Sequence, residues 1–326
     1  MTVSNIHLTL ACGTYDINRA LIDGKVRPQG VDLTVVTYPS PQRHWRMGRH
    51  AEFDVCEFSM STFLMLQGRG DNPFIAIPAF PHRRFRHSFI FVNADAGIRS
   101  PKDLEGRRVG LRSWQTTAGL WVRGILSDEY GVDLTKVQWL CQDEEDVPFA
   151  PPVGFSIERV PEGKTVTRML EEGEIDCLIY PEMPASVLRG DPRVTRLFPD
   201  YKAEEIAHFQ KTGFFPIMHA VIIRRDVLEQ NPWVAVNMLE AFRESKDLAF
   251  RGMEDPRSIS LAWVRHPIEE QQRILGADPW NYTFEGNRSA LEAMIRWSHE
   301  QGMIDHVFPA EEMFVPSTLD ELPHYV

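Results

Sequence analysis

The densest group of chemistry-bearing residues in this sequence is PHRRFRHS, Pro81 to Ser88. Arg83 and Arg86, with Phe85 between them, carry guanidinium forks that match a carboxylate through two parallel hydrogen bonds. His87 titrates near neutral pH and can hand over a proton. The same residues would also serve as a solvated basic link between strands. In an extended segment His82 and His87 face opposite sides and would not share a metal.

A second group follows from how strands end. In a parallel sheet, ligands meet the carboxyl ends of strands. Glu57 ends the apolar run FDVCE, and Ser59 and Ser61 follow at the start of a helix, either in a site or as its caps. Ser113, Trp114, Gln115, Thr116 and Thr117 join a strand to a long helix, whose free N–H groups and positive dipole end suit a carboxylate; the threonines would equally cap it. Cys12, Gly13 and Tyr15 follow the first strand, and Gly13 would let backbone approach a ligand. Tyr180 and Glu182 follow EIDCLI. No H-E-x-x-H spacing, dinucleotide loop or phosphate loop is present.

These residues need elements to hold them. IHLTLAC, VDLTVVTY, FDVCEF and FIAIPAF read as strands separated by helices over 41–50 and from Ser59 to Gln67, an alternation that implies parallel strands with helical crossovers. FIFVN, Phe89 to Asn93, is a further strand. A middle set follows: SPKDLEGRRVGL, a helix from Thr116 to Tyr130, a helix from Lys164 to Glu172, and EIDCLIY. QDEEDVPFAPP reads as an exposed acidic loop. HAVIIRRD returns as a strand, and the remainder is mainly helical.

The chain has 326 residues, which suggests two lobes. Its 35 basic against 46 acidic residues give a net charge of -11, which argues against nucleic acid as partner but permits a locally basic cleft for an anion. No run is long and apolar enough for a membrane span. MTVSNIHLTLACGTYD lacks the basic start of a signal peptide, so a cytoplasmic location with reduced cysteines is expected.

SPKDLEGRRVGL and GEIDCLIY resemble the type II periplasmic-binding-protein fold, an α/β architecture of two lobes with mixed sheets, flanking helices and a two-strand hinge. On that resemblance the crossings fall near Asn93 and His219: residues 1–92 and 220–326 would form a discontinuous lobe 1, and 93–219 lobe 2. A longer resemblance is to the 4,5-dihydroxyphthalate decarboxylase family. It is carried by CGTYD with DGKVRPQGVDL, HWRMGRHAEFDVCEFSMSTF, RGDNPFIAIPAFPHRRFRHSFIFVNADAGIRSPKDLEGRRVG, WVRGILSDEYGV, RVTRLFPDY and TGFFPIMHAVIIRRDV. The resemblance implies a cofactor-independent carboxy-lyase acting on a small aromatic dicarboxylate, in phthalate breakdown, possible as a homo-oligomer. It places His219 at the cleft beside His87 and Glu57 as catalytic groups; a divalent metal assembled from these three stays open. LRSWQT, Leu111 to Thr116, departs from the family pattern, leaving open a different ring acid, and a non-catalytic solute-binding protein for an aromatic carboxylate is the alternative.

Overall fold

The computed structural model describes residues 5–70 and 72–320, so the ends of the expected lobe-1 segments, 1–4 and 321–326, lie outside the described residues. The chain opens with β1 (Ile6–Cys12), α1 (Arg19–Ile22), β2 (Val31–Thr37), α2 (Ser40–His50), β3 (Val55–Ser59), α3 (Met60–Gly68) and β4 (Phe74–Ile77). It continues through β5 (Ile90–Asn93), β6 (Arg108–Leu111), α4 (Thr117–Tyr130), β7 (Gln138–Cys141), β8 (Ser156–Arg159), α5 (Val166–Glu171), β9 (Cys177–Ile179), α6 (Ala185–Leu188), β10 (Val194–Arg196) and α7 (Tyr201–Thr212). Last come β11 (His219–Arg224), α8 (Arg225–Gln230), α9 (Val234–Glu254), α10 (Arg265–Leu275) and α11 (Arg288–Glu300).

Two mixed sheets result, ordered β2-β1-β3-β11-β4 and β10-β5-β9-β6-β7-β8. In the first, β1 runs parallel to β2 and β3, as the strand–helix alternation implies, and the returning β11 is antiparallel to both β3 and β4, which makes the sheet mixed as expected. FIFVN pairs with β9 and β10, which puts residues 90–93 in the second sheet and moves the first crossing ahead of Ile90, into residues 78–89. The physical reason is local: those residues break from strand geometry, bridging Arg83 to Ile217 before a 3-10 turn at His87–Phe89. The two crossing segments bond to each other, Arg84 N–H to the Pro216 carbonyl (3.1 Å) and Met218 N–H to the His82 carbonyl (2.9 Å).

β3 sits between β1 and β11 and is buried at all five positions. An apolar strand suits that place; Glu57 within it does not, and a fully buried carboxylate demands partners. α11 packs against both α3 and α4 and so straddles the sheets. Its Trp297 ring meets Trp121 edge-on at 5.1 Å, and a Cβ added to Gly124 would fall 2.2 Å from the Trp297 ring. Among the described residues no helix is long and apolar enough to cross a membrane.

Candidate active site

A cavity of about 450 Å³ lies where the two sheets meet. Its floor comes from the end of β3, the start of α3, the first crossing segment and the start of β11, which supply Ser59, Thr62, His82, Arg86 and His219; one wall comes from α2, through His44 and Trp45. Across from these, Arg112, Ser113 and the start of α4 close the second side.

His219 is the best-supported polar group in it. Its Nδ1 lies 2.5 Å from Glu57 Oε1, which leaves Nε2 as the ring atom free for a ligand. Glu57 lies behind His219, fully buried. It accepts from Gly13 N–H (2.7 Å) and Tyr15 O–H (3.0 Å), and Arg43, also fully buried, pairs with it at 3.1 Å. Arg43 is fixed in turn by the carbonyls of Glu57 (2.8 Å) and Tyr38 (2.6 Å). Burial would raise the Glu57 carboxyl, but the Arg43 charge and the donated hydrogen bonds outweigh it and hold the group well below the usual carboxylate range. Burial pushes the His219 imidazole down, against the pull of Glu57. Because Arg43 already compensates the carboxylate, the resting pair is an ionised Glu57 accepting Nδ1–H from a neutral His219. Such a pair can take and return a proton at Nε2.

The anion-binding elements face the same space. Among the described residues Arg86 is buried without a carboxylate partner: its guanidinium meets the Met218 sulfur and the Pro181 carbonyl (3.3 Å), and burial lowers it to about 9. Thr116 stands at the N-cap of α4 without capping it; its hydroxyl donates back to the Ser113 carbonyl (3.0 Å). The first-turn N–H groups of α4 are therefore left for a ligand at Thr117 and Ala118, which line the cavity. Ser59, Ser113, Gln115, Thr116, Thr117 and Glu182 also line it.

Other expected residues lie elsewhere. His87 turns away, into a nest of Phe198 (5.2 Å), His208 (5.3 Å) and Tyr130 (6.2 Å); burial, then His208, pushes it down to about 4. The 3-10 turn sends Arg86 and His87 to opposite sides. Arg83 is a brace, donating to the carbonyls of Phe215 (3.0 Å) and Asn281 (3.2 Å) and to Asn287 Oδ1. Phe85 packs on Phe215 at 4.8 Å. Trp114 is buried, donating to the Gln301 carbonyl (3.1 Å) under the Arg123 guanidinium. Ser61 ties α3 to α4 through Thr117 Oγ1 (2.9 Å). Tyr180 packs against the smaller apolar core of the second sheet. Cys12 is fully buried, its thiol pushed up to about 12 by burial, then by Glu57. Gly13 and Tyr15 touch Glu57 rather than the cavity. The metal cluster of His87, His219 and Glu57 does not assemble: among the described residues no three His, Cys, Asp or Glu side chains are arranged to hold an ion.

Two relatives named 4,5-dihydroxyphthalate decarboxylase are each 35% identical to this chain. The one from Comamonas testosteroni is matched over 98% of this chain and 99% of its own length, and the one from Pseudomonas putida over 61% and 79%. The chain belongs to the 4,5-dihydroxyphthalate decarboxylase family. The family described as ABC transporter, phosphonate, periplasmic substrate-binding protein also matches, over residues 20–195. Among solved structures, the periplasmic aliphatic sulphonate-binding protein of Escherichia coli superposes with a TM-score of 0.58 at 12% identity, covering 97% of this chain and 99% of that one. The alkanesulfonate-binding protein of Xanthomonas axonopodis pv. citri, bound to MOPS, gives 0.56 at 10% identity, with 95% and 98% covered. These likenesses show the two-lobed periplasmic-binding-protein fold.

In this member of the decarboxylase family, sequence reasoning passed over Arg43, His44 and Arg112, and weighed His82 only as a metal ligand. Arg43 had a signal: a glutamate inside an apolar strand requires a cation, and the basic helix just upstream supplies one. His44 is one of several polar residues on that helix, and nothing in its spacing separates it from exposed His50. The acidic loop is more than a solvated link. Glu145 accepts from the N–H groups of Trp114 (2.7 Å) and Gln115 (3.0 Å), and Asp143 holds Arg112 at 2.8 Å on the cavity wall.

Proposed function

We propose that this protein is a carboxy-lyase that converts 4,5-dihydroxyphthalate to 3,4-dihydroxybenzoate and CO2, acting in the cytoplasm without a resident cofactor. The observation that carries the reading is the Glu57–His219 pair opening onto a cavity that also presents Arg86 and the start of α4; the family membership supplies the substrate. One substrate carboxylate takes the α4 N–H groups, and Arg86 takes the other. The dianion raises the His219 pKa, so the imidazole takes up a proton. The hydroxyl para to the departing carboxylate pushes electron density to the ring carbon that bears it. That carbon forms a C–H bond with the Nε2 proton. The C–C bond to the carboxylate then breaks, its electron pair restores the aromatic ring, and CO2 leaves. Glu57 stabilises the imidazolium while it exists, and solvent reprotonates His219. The four cysteines are buried free thiols, as a reducing compartment allows.

The match to a solute-binding family supports a second reading, capture of an aromatic carboxylate without turnover. Purified protein incubated with 4,5-dihydroxyphthalate separates the two: CO2 and 3,4-dihydroxybenzoate in equal amounts are expected. Tight binding with no product would select the binding protein, and neither outcome would point to a different ring acid.

A further inference from the structure

Two imidazoles in the cavity are left unused by the chemistry above. His44 and His82 both line it, and each ring centroid lies 4.7 Å from that of His219, edge-on. His44 is 8% exposed. Among the described residues neither ring has a hydrogen-bond partner in the protein, and His44 Nε2 and His82 Nδ1 are buried and unsatisfied. A buried polar group without a partner costs stability, and the cavity that both rings line is where a partner for their remaining ring atoms can enter. Their surroundings state what that is. Burial pushes both imidazoles down, with the neighbouring His219 adding to it, so both stay neutral at physiological pH. A neutral imidazole carries one N–H and one lone pair; a carboxylate can use only the N–H, whereas a phenolic hydroxyl can use either. A phenolic hydroxyl donates to that lone pair, and if it ionises it accepts the ring N–H. Two such rings beside the proton donor match two hydroxyls on one aromatic ring.

We propose that His44 and His82 are specificity-determining residues that each bind one of two neighbouring ring hydroxyls, which makes the site selective for dihydroxylated aromatic acids. This rests on the decarboxylase reading for its substrate, but the recognition is tested by binding alone. The probes are phthalate, 4-hydroxyphthalate and 4,5-dihydroxyphthalate, titrated calorimetrically into wild type, His44→Leu and His82→Leu, with His44→Asn and His82→Asn as conservative partners. Wild type is expected to bind more tightly with each hydroxyl added. Each Leu variant should lose about tenfold of that gain while its phthalate affinity stays within about twofold, and Asn should restore part of it. An equal loss for phthalate, or a hydroxyl preference that survives in both Leu variants, overturns the proposal. Should a variant not fold, 4,5-dimethoxyphthalate on wild type asks the same question, because it removes the donated protons; binding as tight as the dihydroxy acid overturns it. Turnover by wild type with an unchanged preference in the variants sinks this inference alone. No turnover, with the preference present and lost on substitution, sinks only the decarboxylase reading.

Discussion

His219→Asn tests the proposed proton path most directly. The asparagine keeps a polar group near Glu57 but cannot deliver a proton at neutral pH. Loss of a positioned acid–base group costs roughly 10²–10⁴-fold in kcat. Ligand affinity should hold, because Arg86 and the α4 N–H groups remain. The wild-type pH profile carries the sharper expectation. In the free protein burial holds His219 down. A carboxylate brought to about 4 Å contributes about 4 kcal/mol at an effective dielectric near 20, or about 3 pH units. The basic limb of kcat, which reports the complex, should therefore lie well above that of kcat/KM, which reports the free protein. Stopped assays across pH with 4,5-dihydroxyphthalate give both limbs. Coincident limbs, or a His219→Asn variant with wild-type kcat, would refute the donor assignment. His87→Asn is the control and should leave kcat unchanged, since His87 faces Phe198 and His208.

Three further outcomes follow from the geometry. Burial pushes His44, His82 and His219 below the ordinary imidazole value, so the unfolded chain binds protons that the folded one refuses. Unliganded stability should therefore be full above about pH 6.5 and fall as pH drops below it, by up to about 1.4 kcal/mol per unit per group, read by denaturant titration; a flat profile would contradict this burial. Arg86→Lys keeps the charge but loses the fork and should raise KM on the order of ten- to a hundredfold, whereas Arg83→Lys should lower the melting temperature and leave KM unchanged; the reverse pattern would restore Arg83 to the site. Gly124→Ala drives a Cβ into the Trp297 ring and should destabilise by about 1–3 kcal/mol in thermal melts, and no loss would mean that α11 does not hold the two sheets together as tightly as it lies.

The elements were largely legible in the sequence because each carries its own period. The strands IHLTLAC and HAVIIR and the helix α4 lie within a few residues of their expected ends, and Gly131, with φ 64°, stops α4 in the left-handed conformation. The side-chain directions in PHRRFRHS were not legible. One turn sends Arg86 to the cavity and His87 to the opposite side, and no local pattern announces it. Arg83 and Arg86 show the same limit: identical side chains three apart, one tied to three oxygen acceptors and the other facing the cavity with a sulfur and one carbonyl as partners. Which arginine faces a ligand depends on Phe215, Asn281 and Asn287, about 130 to 200 positions away. Ser59, Gln115 and Thr117 line the cavity as expected from position, because strand-end and helix-start positions are set by topology rather than by packing.

The Arg43–Glu57 pair states what the fold sacrifices. A buried ion pair is weak evidence for stability, because two charges lose their hydration and regain it only through each other. Glu57, on the central strand of the first sheet, and Arg43, on α2, are both fully buried, where apolar side chains would pack as well. If the pair is there to keep a carboxylate ionised behind His219, removing both members should cost the chemistry and not the fold. Arg43→Met alone leaves Glu57 charged and unpaired and should destabilise by about 3–5 kcal/mol. Arg43→Met with Glu57→Leu removes the stranded charge and should recover most of that loss or exceed wild type. The double variant should still bind phthalate, since neither residue lines the cavity, yet turn over poorly, because His219 then has no acceptor for Nδ1–H and no anion beside its imidazolium. Denaturant titration of the single and double variants, with kcat measured on the same samples, decides it. A double variant as unstable as Arg43→Met would mean that the pair holds the sheet together, and a double variant with wild-type kcat would remove Glu57 from the mechanism.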